Sequence, residues 1–277
     1  MRMTTPEQRV ELVKSESQRI QRYLEALSDK DLTQTSACDA WEVRDVVAHL
    51  TASVDLYESA ISKGVTGDSN PPEGLSAPGV SSLTTRLEEN TQRVITLRQD
   101  LGDQLLTAFS KRCEDLTQLL ESLTDKDWQK PCYHPGKVIS IATYVDLRLA
   151  ELAIHEWDIR SKLEVSPELS SLCLPAVMDF IPAFVVGTMF RPGIDQIETI
   201  RFRFELTGTV PGSHDIVAEN GNVHMESARE TTANVTIRCD TEIFALLAYG
   251  RASLKQTESK GQLTVQGNRQ LASLIAP

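Results

Sequence analysis

Glu151 and His155 stand four residues apart in the run LRLAELAIHEWDIR. On a helix this spacing stacks a carboxylate and an imidazole one turn apart, with β-carbons roughly 5 to 6 Å from each other. From there both side chains can reach one ion. A third donor of the right type is His49, in WEVRDVVAHL. Two neutral imidazoles and a carboxylate suit a catalytic zinc ion, which keeps a further coordination position open for water or substrate. An i,i+4 Glu/His pair also occurs on solvated helix faces, and a single histidine beside an apolar stripe is often a hydrogen-bonded core residue. Spacing alone therefore leaves both readings open, and the elements that carry the three residues decide between them.

Helical periodicity dominates the chain to about residue 165. Val10, Val13, Ile20 and Leu24 recur at three- and four-residue steps in the first helix. A second helix is predicted from about Trp41, with an apolar stripe of Val43, Val46, Val47, Leu50, Val54, Tyr57 and Ile61. His49 lies on the shoulder of that stripe and is expected to look inward. The Gly-, Pro- and Ser-rich run KGVTGDSNPPEGLSAPGVSS reads as a long crossover, which allows the helices it joins to sit apart in a bundle. Helical pattern resumes from Leu83 to Leu123, with a break near Gly102, and a last bundle helix is predicted from about Val138 to Leu163. LEALSDKDL and LESLTDKDW echo each other at Leu24 and Leu120, each ending a helix before a turn, so the bundle looks like two helical hairpins in tandem.

Beyond Pro167 the period changes from helical to alternating. ETIRFRFEL, NVTIRC and the shorter GQLTVQG read as strands, TVPGSHD and ENGN as turns, and Glu242 to Ala248 and Asn268 to Ile275 as short helices. The expected fold class is two-domain: a four-helix bundle over residues 1–165, then a smaller α+β domain over 166–277. A chain of 277 residues with 40% hydrophobic content has enough apolar side chain for two cores.

A formal net charge of −11 opposes binding to a nucleic-acid polyanion or to an anionic membrane surface. The apolar run LCLPAVMDFIPAFVVGTMF is broken by Asp179, Pro175 and Pro182 and reads as a buried or domain-joining helix, not a membrane span. Cys38, Cys113, Cys132, Cys173 and Cys239 are odd in number and form no CxxC pair. They imply free thiols in a reducing compartment, and with no apolar signal core near the N-terminus a cytoplasmic protein is expected, as monomer or homodimer.

WEVRDVVAHL followed at a distance by ELAIHEWDIR, with the SDKDL and TDKDW turns, AYGRAS and the closing GQLTVQGNRQLASL, resembles the DinB-like, mycothiol-dependent maleylpyruvate isomerase family over nearly the whole chain. The resemblance implies a helical bundle with a His plus Glu-xxx-His metal triad, followed by a domain similar to sterol carrier proteins. By it, His49, Glu151 and His155 correspond to the triad, with zinc the usual metal. Arg251 in YGRAS corresponds to an arginine of the C-terminal domain that reaches the interdomain cleft, implying a catalytic or cofactor-binding role. EENTQRVITLRQD resembles a stretch carrying Asn and Arg near the active site, which implies that Asn90 and Arg93, with Arg98 nearby, meet the cofactor; surface salt bridging is the competing reading. Mycothiol is the implied thiol, and bacillithiol would fit the same open site.

Two imidazoles and one carboxylate leave a divalent ion with net charge +1, suited to holding a thiolate. The implied enzyme is a metal-dependent transferase or isomerase that uses a low-molecular-weight thiol on a small electrophile and needs none of the five protein cysteines. Competing readings are a small-molecule or lipid-binding protein with a structural metal, a hydrolase that activates water on the same scaffold, and non-haem iron chemistry, for which related sulfur-inserting enzymes carry a much larger C-terminal domain. Asp158 and Asp45 lie close enough to His155 and His49 to orient them, or serve as exposed helix-end charges. Trp41 and Trp157 read as core packing or bundle walls over substrate stacking, His134, His214 and His224 as loop or strand surface residues, and Cys38 and Cys132, which both precede helices, as ordinary small buried side chains over reactive thiols.

Overall fold

The computed structural model describes residues 5–38, 40–190 and 198–275. Contacts divide the chain into two compact units, Met1–Pro167 and Glu168–Pro277.

The first unit is helical: α1 (Pro6–Glu25), a one-turn α2 (Asp29–Leu32), α3 (Val43–Val65), α4 (Leu83–Leu101), α5 (Leu105–Glu121) and α6 (Ile141–Arg160). α1 starts where Thr5 accepts the Gln8 N–H and Pro6 fills a position that needs no N–H donor. Its buried face is Val10, Leu12, Val13, Ile20 and Leu24. α1 and α3 each pack against both α5 and α6, which closes a four-helix ring. α4 lies outside that ring against α3, so the helices joined by the long crossover are neighbours after all. The helical run over Leu83–Leu123 is therefore two helices broken at Gly102, and only the second takes a bundle position.

The repeated LE(A/S)L(S/T)DKD sequence has the same local geometry twice. Asp31 Oδ2 accepts from Ser28 N at 2.9 Å and Oγ at 2.6 Å; Asp127 Oδ2 accepts from Thr124 N at 2.9 Å and Oγ1 at 2.7 Å. After the second copy comes a small hairpin of β1 (Pro131–Cys132) and β2 (Ile139–Ser140), and Ser140 then caps α6 by accepting the Thr143 N–H. The last bundle helix accordingly starts three residues later than its sequence pattern suggests. α3 passes so close to β1 that a β-carbon on Gly64 would lie 2.7 Å from that of Cys132, which only a residue without a side chain permits.

The second unit has α7 (Leu174–Phe180), continued by a wider turn over 181–185, then β3 (Ile200–Thr207), β4 (Gly212–Glu219), β5 (Asn222–Ser227), β6 (Val235–Asp240), α8 (Thr241–Ala248), α9 (Leu254–Ser259), β7 (Leu263–Gly267) and α10 (Arg269–Ala272). The sheet order is β5-β4-β3-β6-β7, antiparallel except for the parallel β3–β6 pair. Ile200, Phe202, Phe204 and Leu206 alternate into the core with Arg201, Arg203 and Glu205 outward, as the period-2 pattern of β3 requires. Phe204 packs on Phe244 of α8 with ring centroids 4.8 Å apart. Two strands and α9 go beyond the sequence expectation. β4 buries the consecutive residues Asp215, Ile216, Val217 and Ala218, so it carries no alternation. The ENGN turn was legible because Asn220 (φ 50°) and Gly221 (φ 79°) supply the two left-handed residues of a tight β4–β5 hairpin. Among the described residues, no helix is long and apolar enough to cross a membrane.

Candidate metal centre

α3 brings His49 and α6 brings Glu151 and His155 to one point in the first unit. His49 Nε2 is 2.9 Å from Glu151 Oε2, and His155 Nε2 is 3.5 Å from the same oxygen. The two imidazoles meet edge to face with centroids 4.6 Å apart. One donor atom from each residue lies within 4.8 Å of the others, all three half-buried. Ligand bonds of about 2.0 to 2.2 Å at a tetrahedral ion separate nitrogen and oxygen donors by roughly 3.4 Å, so these distances fit a divalent ion.

The electrostatics favour a cation there. Burial pushes the Glu151 carboxyl up, but hydrogen bonds from His155 and His49 outweigh it and hold the group well below the usual carboxylate range. Burial opposes charge on His155, yet its contacts with Asp158, Cys38 and Glu151 raise it well above the ordinary imidazole value. Burial keeps His49 low, aided by the positive charges of His155 and Arg148, although Glu151 pulls the other way. Arg148 is itself buried on α6, donating to Leu50 O at 3.2 Å, to Ser53 Oγ at 3.0 Å and to the Cys113 sulfur at 3.3 Å.

Each imidazole is also held from behind. Asp158, fully buried one turn along α6, accepts from His155 Nδ1 at 2.9 Å, which aims Nε2 at the site. Asn90 on α4 places its amide nitrogen 3.2 Å from His49 Nδ1, and its oxygen accepts from Arg93 at 2.7 Å. Asn90 thus touches a triad residue directly, whereas Arg93, exposed on α4, reaches the centre through it. Trp41 stands beside His49 with ring centroids 5.7 Å apart.

Other sequence candidates fall elsewhere. Asp45 caps α3 by accepting the Glu42 N–H at 2.9 Å and pairs with Arg98 at 3.0 Å, so neither reaches the triad through these bonds. Trp157 donates to Pro167 O at 3.1 Å. His134 follows β1, half-buried, with Nδ1 accepting the Gly136 N–H at 3.1 Å; burial first, then the Arg86 charge, pushes it down to about 4. His214 and His224 lie on β4 and β5. Cys132 is a buried thiol pushed up to about 12 by desolvation. Cys38, in contrast to the sequence reading, is half-buried with its sulfur 2.9 Å from Asp158 Oδ2. The signal for it was weak because the loop 33–42 has no periodicity. Arg251 belongs to the second unit, in the turn after α8, where its guanidinium donates to Tyr249 O at 3.0 Å.

Comparison with known proteins places the first unit in a family. The model of the mycothiol maleylpyruvate isomerase N-terminal domain matches residues 13–160, and that of the SCP-2 sterol transfer family matches residues 191–276. No curated protein sequence matches the chain. A crystal structure of the mycothiol-dependent maleylpyruvate isomerase superposes with a TM-score of 0.67 at 14% identity, covering 95% of this chain and 93% of that one. A histidine-to-alanine mutant of the isomerase gives 0.65 at 14% identity with the same coverage. With a helical ring carrying a His and a Glu-xxx-His donor set, and a family model spanning more than half its length, the chain belongs to the mycothiol maleylpyruvate isomerase N-terminal domain family, followed by an SCP2-like α/β region.

Proposed function

We propose that the chain is a metal-dependent enzyme that uses a low-molecular-weight thiol, mycothiol or a relative such as bacillithiol, to isomerise or thiolate a small electrophile. The observation that carries this reading is the convergence of His49, Glu151 and His155 on one point, a set of three protein donors among the described residues. Structural zinc sites are normally closed by four protein ligands, whereas catalytic ones leave a position for an exogenous group.

A divalent ion held by these residues, zinc in the simplest case, would supply the positive charge that keeps an external thiol as its thiolate near neutral pH. The chain's own residues do the rest. Asp158 Oδ2, as acceptor, would keep the proton of His155 on Nδ1 and leave the Nε2 lone pair available to a metal. A metal on His49 Nε2 would leave the ring proton on Nδ1, so the Asn90 side chain that now faces Nδ1 through its nitrogen would turn its amide oxygen to accept it, and the Arg93 guanidinium beside it is available to a carboxylate of the thiol or the substrate. The thiolate sulfur then forms a bond to the electrophilic carbon of a conjugated double bond. In an isomerase the electron pair moves onto the conjugated acceptor, the former double bond rotates, and the carbon–sulfur bond breaks to return the thiolate. In a transferase the neighbouring carbon takes a proton from solvent, replacing the one the thiol gave up, and the sulfur stays. Arg251 is assigned to thiol or substrate binding on the family resemblance.

The test is a panel of small thiols against conjugated and other small electrophiles with the metal-loaded protein. Turnover should require both metal and thiol, and His49→Ala or Glu151→Gln should remove metal and at least 100-fold of the rate while helical content is retained. Arg251→Ala should keep its metal and lose turnover or thiol affinity. Full turnover without any thiol would overturn the reading in favour of a hydrolase that activates water.

A further inference from the structure

The imidazole of His155 has a second set of donors on its other nitrogen. Cys38 Sγ lies 2.9 Å from Asp158 Oδ2 and 3.9 Å from His155 Nδ1, and Asp158 Oδ2 lies 2.9 Å from that same nitrogen. At a tetrahedral ion with a metal–sulfur bond of about 2.3 Å and the others near 2.1 Å, such donors stand roughly 3.4 to 3.6 Å apart, so each observed distance is within about 0.7 Å of that geometry. The three residues come from the loop before α3 and the last turns of α6. Ala37 N donates to Asp158 O at 3.1 Å, which ties this loop to α6, and within the loop Cys38 N donates to Ser36 Oγ at 3.0 Å.

We propose that Cys38, Asp158 and His155 Nδ1 form a second metal site, selective for thiophilic divalent ions, and that it excludes occupancy of the His49–Glu151–His155 site because both draw on one ring. The exclusion rests on the metal reading of the triad; the second site does not. On binding there, Cys38 gives its thiol proton to solvent. The Nδ1 proton of His155 is lost to solvent and a proton is taken up at Nε2, where Glu151 Oε2 at 3.5 Å accepts it. In the triad state the proton is on Nδ1 and Asp158 accepts it. A neutral ring keeps its one proton on either nitrogen, so it offers a lone pair to one ion at a time. The second set also carries two negative charges, from the Cys38 thiolate and the Asp158 carboxylate, and neutralises a divalent ion fully at a point where Asp158 is buried. A soft thiolate in the set favours cadmium over the harder ions that a nitrogen and carboxylate set accepts.

Cadmium chloride titrated into the intact chain in thiol-free buffer tests this by the ultraviolet thiolate-to-cadmium charge-transfer absorption. The band should grow to one equivalent, vanish in Cys38→Ser, weaken in apparent affinity at least tenfold in Asp158→Asn, and persist in the double variant His49→Ala, Glu151→Ala. No band in the unmodified chain, or an unchanged band in Cys38→Ser, overturns the site. Should Cys38→Ser fail to fold, alkylation of Cys38 in the unmodified chain, mapped by mass spectrometry, should slow at least tenfold with cadmium; equal rates overturn the proposal. Cobalt added to Cys38→Ser reads the triad separately, as visible ligand-field bands without thiolate charge transfer. Their absence defeats the triad reading while leaving the cadmium site standing. Cobalt bands that survive saturating cadmium in the unmodified chain defeat the exclusion.

Discussion

His134 keeps its imidazole neutral because Nδ1 must accept the Gly136 N–H and because burial and the Arg86 charge disfavour a proton there. In the unfolded chain the same ring titrates near 6.5, and in the folded chain near 4. The unfolded state therefore binds more protons between those values, and folding stability falls as pH drops through them. The loss from this one residue reaches up to about 3 kcal/mol once pH is below both values. Denaturation midpoints measured between pH 7 and pH 4.5 should drop less steeply in His134→Asn than in the unmodified chain, if both keep their helical content. Asp158 allows a second expectation. Asp158→Asn keeps the shape of the side chain but weakens the acceptor for His155 Nδ1, and about 10- to 100-fold of metal affinity should be lost in competition with a chromophoric chelator. Affinity equal to that of the unmodified chain would show that Asp158 does not support the triad. The Glu151/His155 pair was legible because helical spacing fixes it. Asn90 was legible only through the family resemblance, and its contact with His49, like that of Cys38 with Asp158, required the tertiary structure, since α4 and the loop before α3 reach the centre only through packing that spacing does not encode.

At the scale of elements, the approach of α3 to the small hairpin depends on Gly64. Gly64→Ala would set a methyl group 2.7 Å from Cys132 Cβ, well inside contact distance, and overpacking of this kind costs about 1–3 kcal/mol. The urea midpoint should fall accordingly, although alanine is the better helix former. An unchanged midpoint would mean that the hairpin moves freely off the helix. The helices were readable because each buried face repeats at three and four residues, and β3 and β6 because they alternate. β4 hid for the opposite reason: its buried run of Asp215 to Ala218 includes a carboxylate held by Arg201 at 2.9 Å and by Arg203 at 2.8 Å, so a charged core residue interrupts the pattern. The crossover after α3 permitted either placement of the next helix, and only the packing of α4 on α3 selects between them.

For the whole molecule, the break at Pro167 separates a unit in which every triad residue lies from one that contains Arg251. A chain ending at Pro167 should keep its helical circular dichroism and bind one equivalent of metal, because the donors and their supports Asp158 and Asn90 are all included. Failure to bind would show that the bundle depends on the second unit for its metal geometry. A further consequence lies in α6. Arg148, Glu151, His155 and Asp158 occupy one continuous helix, so none of them can be released singly by a loop movement. Opening of that helix, when it happens, disperses the buried guanidinium, two donors and the carboxylate behind them together. Retention of an ion held by the triad would thus be tied to the lifetime of a single cooperative unit. Amide hydrogen exchange should slow over the whole of α6 on metal binding, from Ile141 to Arg160, with no gradient centred on the ligands.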